Sequence, residues 1–290
     1  MAVAGVVVEE AFVGDHEHGR IVLPVPEPIW RLPPPIVDIH ARTTCRRHSE
    51  QACIPMALTP LSIGSARFRV GAWQGAADVA YLAVASAAAT MAPWVLAALR
   101  DRLRDQGYRA VVTAAVGSRE RDALIGDGFN VRSELVTLSR DLETEVPRLV
   151  NARGRTRRGR WRDLDVVLQV DAAAFDPFWR LDADGIHEAR TATPSSRWRV
   201  NRGTEVQAYS ITGRARSQGY VQRLAVAARS QGRGLGTLLV LDALTWLRRG
   251  GARTALVNTQ PDNQRALDLY QRCGFCMAPD RLAVLYRSLR

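Results

Sequence analysis

Tyr220-Val221-Gln222-Arg223-Leu224-Ala225-Val226 leads, four residues later, into Gln231-Gly232-Arg233-Gly234-Leu235-Gly236, and Leu235 opens an apolar stretch that runs to Arg249. The order is a β-strand, a glycine-rich turn and an amphipathic helix. Three glycines let the backbone of the turn come close to a ligand. The first N–H groups of a helix have no partner inside it and sit at the positive end of its dipole, so they suit a pyrophosphate. A glycine turn alone is weak evidence. A dinucleotide fold calls for an acid about 20 residues on, at the end of the following strand. That strand ends here in Val257-Asn258-Thr259, which has no acid.

Downstream lies a second pattern, Asn263-Gln264-Arg265-Ala266-Leu267-Asp268-Leu269-Tyr270-Gln271-Arg272-Cys273-Gly274-Phe275. Together the two stretches resemble the GCN5-related N-acetyltransferases (GNAT). Gln231 to Gly236 fits the Q/R-x-x-G-x-G/A motif of that family. The second stretch is similar to N-x-x-A-x-x-L-Y-x-x-x-G-F, in the family's order and spacing. Upstream, Trp198 to Val200 and Val206 to Ile211 look like its second and third strands.

The resemblance implies acetyl transfer from acetyl-CoA, as co-substrate, to a primary amine of a small molecule or a protein N-terminus. The amine attacks the thioester directly. It further implies that Gln231, Gly232, Arg233, Gly234, Leu235, Gly236 and Thr237 form the pyrophosphate cradle. Backbone groups of Leu224 and Val226 pair with the pantetheine arm as if it were an added strand. The Asn263 side chain hydrogen-bonds that arm, and the Val226 N–H steadies the oxyanion. Tyr270 is the catalytic general acid that protonates the leaving thiolate.

One departure stands out. Ribosomal-protein alanine N-acetyltransferases of this family carry a glutamate base where this chain has Asn258, and an amide has no useful basicity. Glu205, Asp182, Asp184 and Glu188 are the candidates to replace it through water. Asp176-Pro177-Phe178-Trp179-Arg180-Leu181-Asp182 falls where the family shapes its acceptor pocket, so Trp179 is expected on that wall.

The pattern occurs twice. Gly107-Tyr108-Arg109-Ala110-Val111-Val112 parallels Gly251-Ala252-Arg253-Thr254-Ala255-Leu256, and Gly128-Phe129 parallels Gly274-Phe275. An amphipathic helix precedes each first match, Trp94 to Gln106 and Leu235 to Arg249. A strand follows each Gly-Phe, Ser133 to Leu138 and Leu282 to Arg287. The expected fold is α+β: two tandem GNAT-like domains, 1–145 and 146–290, each a mixed β-sheet flanked by helices. In the first, Tyr81-Leu82-Ala83-Val84 resembles a cofactor strand, yet Ala85-Ser86-Ala87-Ala88-Ala89-Thr90-Met91-Ala92 follows with no glycine, and Leu124 stands where Tyr270 would be. The first half therefore reads as a degenerate copy and the second as catalytic, a layout similar to that of mycothiol synthases.

Composition sets the remaining bounds. The net charge is +11, and all 40 basic residues are arginine. With no lysine, the chain cannot acetylate its own lysine side chains. Many arginines alternate with acids, as in Arg119-Glu120-Arg121-Asp122, which argues against nucleic acid as a partner. No apolar run of about 18 residues appears, so no membrane span is expected. Met1 to Val8 is apolar but lacks a basic n-region and Glu9 and Glu10 follow, so it does not read as a signal peptide, and the cytoplasm is the default. Arg153 to Arg162 reads as a solvated linker or an edge strand, and Asp163 as the N-cap of a helix through Phe175. Cys273 and Cys276 have redox spacing but follow a helix end, which disfavours a thiolate. His40, Cys45, His48 and Cys53 are zinc-capable in type, but their spacing fits no common module, and no metal site is expected. The rival reading is a non-catalytic GNAT-like protein that binds RNA or a protein partner.

Overall fold

The computed structural model describes residues 58–85, 91–146 and 155–290. The His40, Cys45, His48 and Cys53 group and most of the Ala85–Ala92 stretch lie outside them. In the first half come β1 (Thr59–Ile63), β2 (Ala66–Trp73), β3 (Ala76–Val84), α1 (Pro93–Asp105), β4 (Ala110–Thr113), α2 (Ser118–Gly126) and β5 (Asn130–Asp141). The second half begins with β6 (Thr156–Arg158), α3 (Leu164–Ala174), α4 (Ala183–Thr191), β7 (Ser195–Asn201) and β8 (Ala208–Ala215). It continues with β9 (Gln218–Val226), α5 (Leu235–Arg249), β10 (Thr254–Thr259), α6 (Gln264–Arg272) and β11 (Cys276–Ser288). The succession β3–α1–β4–α2–β5 recurs as β9–α5–β10–α6–β11, as the repeated Gly-Phe pattern predicts.

The eleven strands of the described residues form one mixed sheet in the order β1-β2-β3-β4-β11-β5-β10-β9-β8-β7-β6. The halves exchange their last strands. β5 pairs antiparallel with β10, from Thr254↔Asp141 to Thr259↔Val136. β11 pairs antiparallel with β4, from Tyr286↔Val112 to Ser288↔Ala110. β5 and β11 also pair with each other across the centre. Packing follows the exchange. Val136 and Leu138 of β5 lie in the core beneath α5 with Val240 and Leu244. Leu285 of β11 lies in the core beneath α1 with Leu96, Leu99 and Leu103.

The helices sit as their apolar spacing dictates. In α1, Val95, Leu96, Leu99 and Leu103 make one buried stripe at helical period. In α5, seven of fifteen residues are buried, among them Val240, Leu244 and Leu247 against the sheet. The arginine-rich segment supplies β6, an edge strand on β7.

Asp163 differs from expectation. It stands at the N-cap position of α3, but in helical conformation and with no side-chain cap bond. Its carboxylate instead accepts from Arg160 N at 2.8 Å and from both arms of Arg157 at 2.7 and 2.8 Å, closing a 3-10 turn over Trp161–Asp163. The two guanidinium bonds hold its pKa below the usual carboxylate range.

Candidate active site

β9 and β10 run parallel but stay paired only at Thr254↔Gln218, Ala255↔Gly219 and Leu256↔Tyr220. Beyond Tyr220 they part. In the first half the equivalent strands β3 and β4 continue through Leu82↔Thr113, and Ala114 N–H bonds to the Leu82 carbonyl at 2.7 Å. That seam is closed, and the second is open.

The alternation of backbone groups along β9 decides what the gap offers. Ala227 N–H bonds to the Gln207 carbonyl at 2.8 Å, so Ala227 and Ala225 turn their backbone groups toward β8. Leu224 and Val226 turn theirs the other way, into the gap. A cavity of about 480 Å³ fills this space. Leu224, Val226, Gln231, Gly232, Gly234, Leu235, Gly236, Thr237, Asn263 and Tyr270 all line it, while Arg233 is exposed on the turn outside the lining.

Gly234 is the residue before α5 and adopts φ +77, a left-handed conformation that L side chains rarely take. No side chain caps the helix there, and the Gly234 carbonyl accepts from Leu238 N at 2.9 Å. The N–H groups of the first turn thus face the cavity, a cradle of the kind an anion fits. A Cβ at Gly232 or Gly234 would meet nothing within 4 Å, which leaves free space above the turn. Gln231 ties the turn together: its Nε2 donates to the Val226 carbonyl at 3.2 Å, and its Oε1 accepts from Arg265 at the start of α6. Asn263 caps α6, its Oδ1 accepting from Ala266 N at 3.2 Å, with the amide nitrogen left to donate. Residues for a pyrophosphate and for an extended polar arm are therefore present and fit acetyl-CoA.

Tyr270 is 6% exposed on α6 and packs edge-on against Phe275 at 5.6 Å. Burial is the main cause that raises its pKa, with Cys273 adding to the shift, so the phenol keeps its proton. Among the described residues its hydroxyl has no hydrogen-bond partner. Cys273 is buried and pushed up to about 11, first by desolvation, which makes it a poor thiolate.

Asn258 lines the cavity with both side-chain polar atoms buried and unpartnered. The four acids considered as bases are elsewhere. Glu205 pairs with Arg229 at 2.8 Å on the surface, and Asp182 caps α4 through Gly185 N. Asp184 is exposed, and Glu188 lies near Tyr81. None of them is in the lining.

At the far end Trp179 is in the lining, with Phe175, Ala174 and Leu135 of the first half. Sequence reasoning missed what supports this end. Arg223 of β9 binds Asp171 of α3 at 2.8 Å through each arm. Tyr209 donates to the same carboxylate, as does Leu181 N at 2.7 Å. Arg223 also lies over the Phe175 ring at 3.4 Å. Asp171 directly follows the buried Val170 on the apolar side of α3, and an acid at such a position was the available signal of a buried partner.

Strand, open seam and helix cradle together define an acyl-CoA-type transferase fold, and the comparisons agree. The Acetyltransferase (GNAT) family matches residues 173–275. The chain is 30% identical to a mycothiol acetyltransferase of Gordonia bronchialis over 231 residues, 63% of this chain and 70% of that protein. The chain belongs to the GNAT acetyltransferase family. A second mycothiol acetyltransferase, from Rhodococcus jostii, is 33% identical over 118 residues; that match spans 41% of this chain but only 36% of the relative's length. A solved tandem GNAT protein from the clavulanic acid biosynthesis pathway shares the fold, with a TM-score of 0.60 at 13% identity over 82% of this chain and 85% of that one.

Proposed function

We propose that this chain transfers the acetyl group of acetyl-CoA to a primary amine, on a small molecule or a protein N-terminus. The observation that carries this reading is the open seam between β9 and β10, which leads from the uncapped start of α5 to the Tyr270 hydroxyl. Residues 146–290 are the catalytic unit in this reading, 1–145 the degenerate copy, and the cytoplasm the place of action.

Acetyl-CoA supplies an activated thioester, which a neutral amine attacks directly. The first-turn N–H groups of α5 hold the phosphates, and the backbone groups that Leu224 and Val226 turn into the gap align the arm, the Val226 carbonyl sharing its oxygen with Gln231 Nε2. The Val226 N–H donates to the oxygen on which charge develops. Tyr270 Oη keeps a proton in readiness for the departing sulfur, because burial opposes its ionisation. The proton that the amine nitrogen sheds as the amide forms passes to solvent, from which the phenolate is reprotonated. Asn258, neutral at every working pH, orients the acceptor or a water and takes no proton.

The mycothiol acetyltransferases make their own acceptor the first amine to try. The test is CoA release with that acceptor beside a panel of primary amines, together with titration calorimetry of acetyl-CoA. Binding without turnover of any amine, with a shift of RNA at stated salt, would favour the non-catalytic reading instead.

A further inference from the structure

The segment that carries Trp179 to the cavity wall is gripped through three successive backbone carbonyls. Arg223 Nη2 donates to the Trp179 carbonyl at 2.6 Å. The carbonyls on either side are held from the other half of the chain: Gln74 Nε2 donates to Phe178 O at 2.7 Å and to Arg180 O at 3.0 Å. Gln74 sits at the tip of the β2–β3 hairpin, a hundred residues earlier in sequence.

Two further observations converge there. Trp73, next in chain, packs on Phe178 at 5.1 Å, and Arg132 of β5 covers the same ring at 4.6 Å. The backbone of Gln74 is itself left-handed, at φ +48, followed by Gly75 at φ +74. A two-residue hairpin with both φ positive favours Asn, Asp or Gly at its first position. Glutamine has no backbone reason to be there and is strained. What it contributes is an amide long enough to reach both carbonyls.

We propose that Gln74 is a positioning residue for the acceptor end of the cavity. Through the carbonyls flanking Trp179 it sets that ring against the space where the amine arrives, with Leu135 of the first half completing the wall. The half whose sequence lacks a phosphate cradle thus acts on acceptor recognition. The flat aromatic ring of Trp179, beside a Phe175 ring covered by Arg223, suits an amine borne on a ring or apolar body. This inference rests on the acetyltransfer reading for its kinetic consequence, but its structural core does not.

The test uses the full chain as wild type, Gln74→Met and Gln74→Gly. Methionine keeps the length and removes both donors, while glycine also relieves the backbone, so a folding defect in one variant does not close the question. Fluorine NMR of fluorotryptophan-labelled protein, with the Trp179 signal assigned by Trp179→Phe, is expected to show that signal shifted and broadened in both variants. Acetyl-CoA affinity stays unchanged. With an amine that the wild type turns over, acceptor KM rises about tenfold, in line with two lost hydrogen bonds, and kcat holds. An unmoved Trp179 signal overturns the proposal, as does a parallel loss of acetyl-CoA affinity, kcat and thermal stability. If no amine in the panel is a substrate, the functional reading fails while the NMR result still decides the role of Gln74.

Discussion

Arg223 holds Asp171 with both arms of its guanidinium at 2.8 Å, and the two side chains are only 6% and 0% exposed. Removing one partner of such a pair leaves the other charge buried and alone, a cost of about 3–5 kcal/mol. Asp171→Ala and Arg223→Ala are therefore expected to lose about that much in denaturant titrations. The paired change Asp171→Leu with Arg223→Met should recover part of it, since no buried charge is left alone, while Tyr209 Oη, Leu181 N and the Trp179 carbonyl still lose their partners. A double variant as unstable as either single one would show that Arg223 stabilises through Phe175 and the Trp179 carbonyl rather than through Asp171.

The α5 turn predicts a split between two substitutions at one position. Gly234→Ala meets no neighbour within 4 Å, so its cost is the left-handed backbone alone, about 1–2 kcal/mol. Gly234→Glu adds a long anionic side chain beside the cradle and should abolish acetyl-CoA binding. Calorimetry on the wild type should give one site per chain. Two sites, or binding that survives Gly234→Glu, would place the cofactor elsewhere.

Tyr270 and Asn258 are separable by kinetics. Tyr270→Phe keeps the ring against Phe275 and removes only the hydroxyl, so turnover is expected to fall about 10²–10⁴-fold with acetyl-CoA affinity nearly unchanged. Asn258→Ala should cost far less, because its amide orients and does not titrate. An unaltered rate in Tyr270→Phe would reduce Tyr270 to a packing residue.

Alkaline pH should unfold the protein through its buried phenols. Burial is the main cause that raises the pKa values of Tyr81, Tyr209, Tyr220 and Tyr270 above the ordinary value, and it pushes Cys273 up to about 11. The native state keeps protons that the unfolded chain releases. Stability from these groups is thus fully present below about pH 9 and declines as pH rises past about 10. The thermal midpoint, followed together with phenolate absorbance, should fall over that range. A midpoint that stays level while phenolate appears would mean the rings ionise in place.

What the sequence disclosed depended on how local each signal was. Helix α5 was readable at both ends, because the glycine turn and the apolar period lie in one continuous stretch. The motif residues on the cavity wall were readable too, since both motifs are short, but Arg233 was counted with them and lies outside the lining, and Leu135 carried no signal. Asp163 marks the start of α3 as expected, but Arg157 and the Arg160 N–H, not the first turn of that helix, take its carboxylate. The Arg223–Asp171 pair spans 52 residues, and one arginine among 40 carries no mark of its partner. The exchange of β5 and β11 was hidden for a different reason. The two strands follow the same pattern in each half, so either pairing satisfies the pattern equally.

That exchange also gives the first half a structural task that does not depend on what it binds. β10 bears Asn258 and one side of the open seam, and its far edge is covered from Thr254 to Thr259 by β5 alone. A descendant that discarded the first half would present that row of backbone groups to solvent, an invitation to adhere to its neighbours. Each repeat is in this sense a lodger in the other's sheet, and neither could be removed without stripping a covered strand edge from the other.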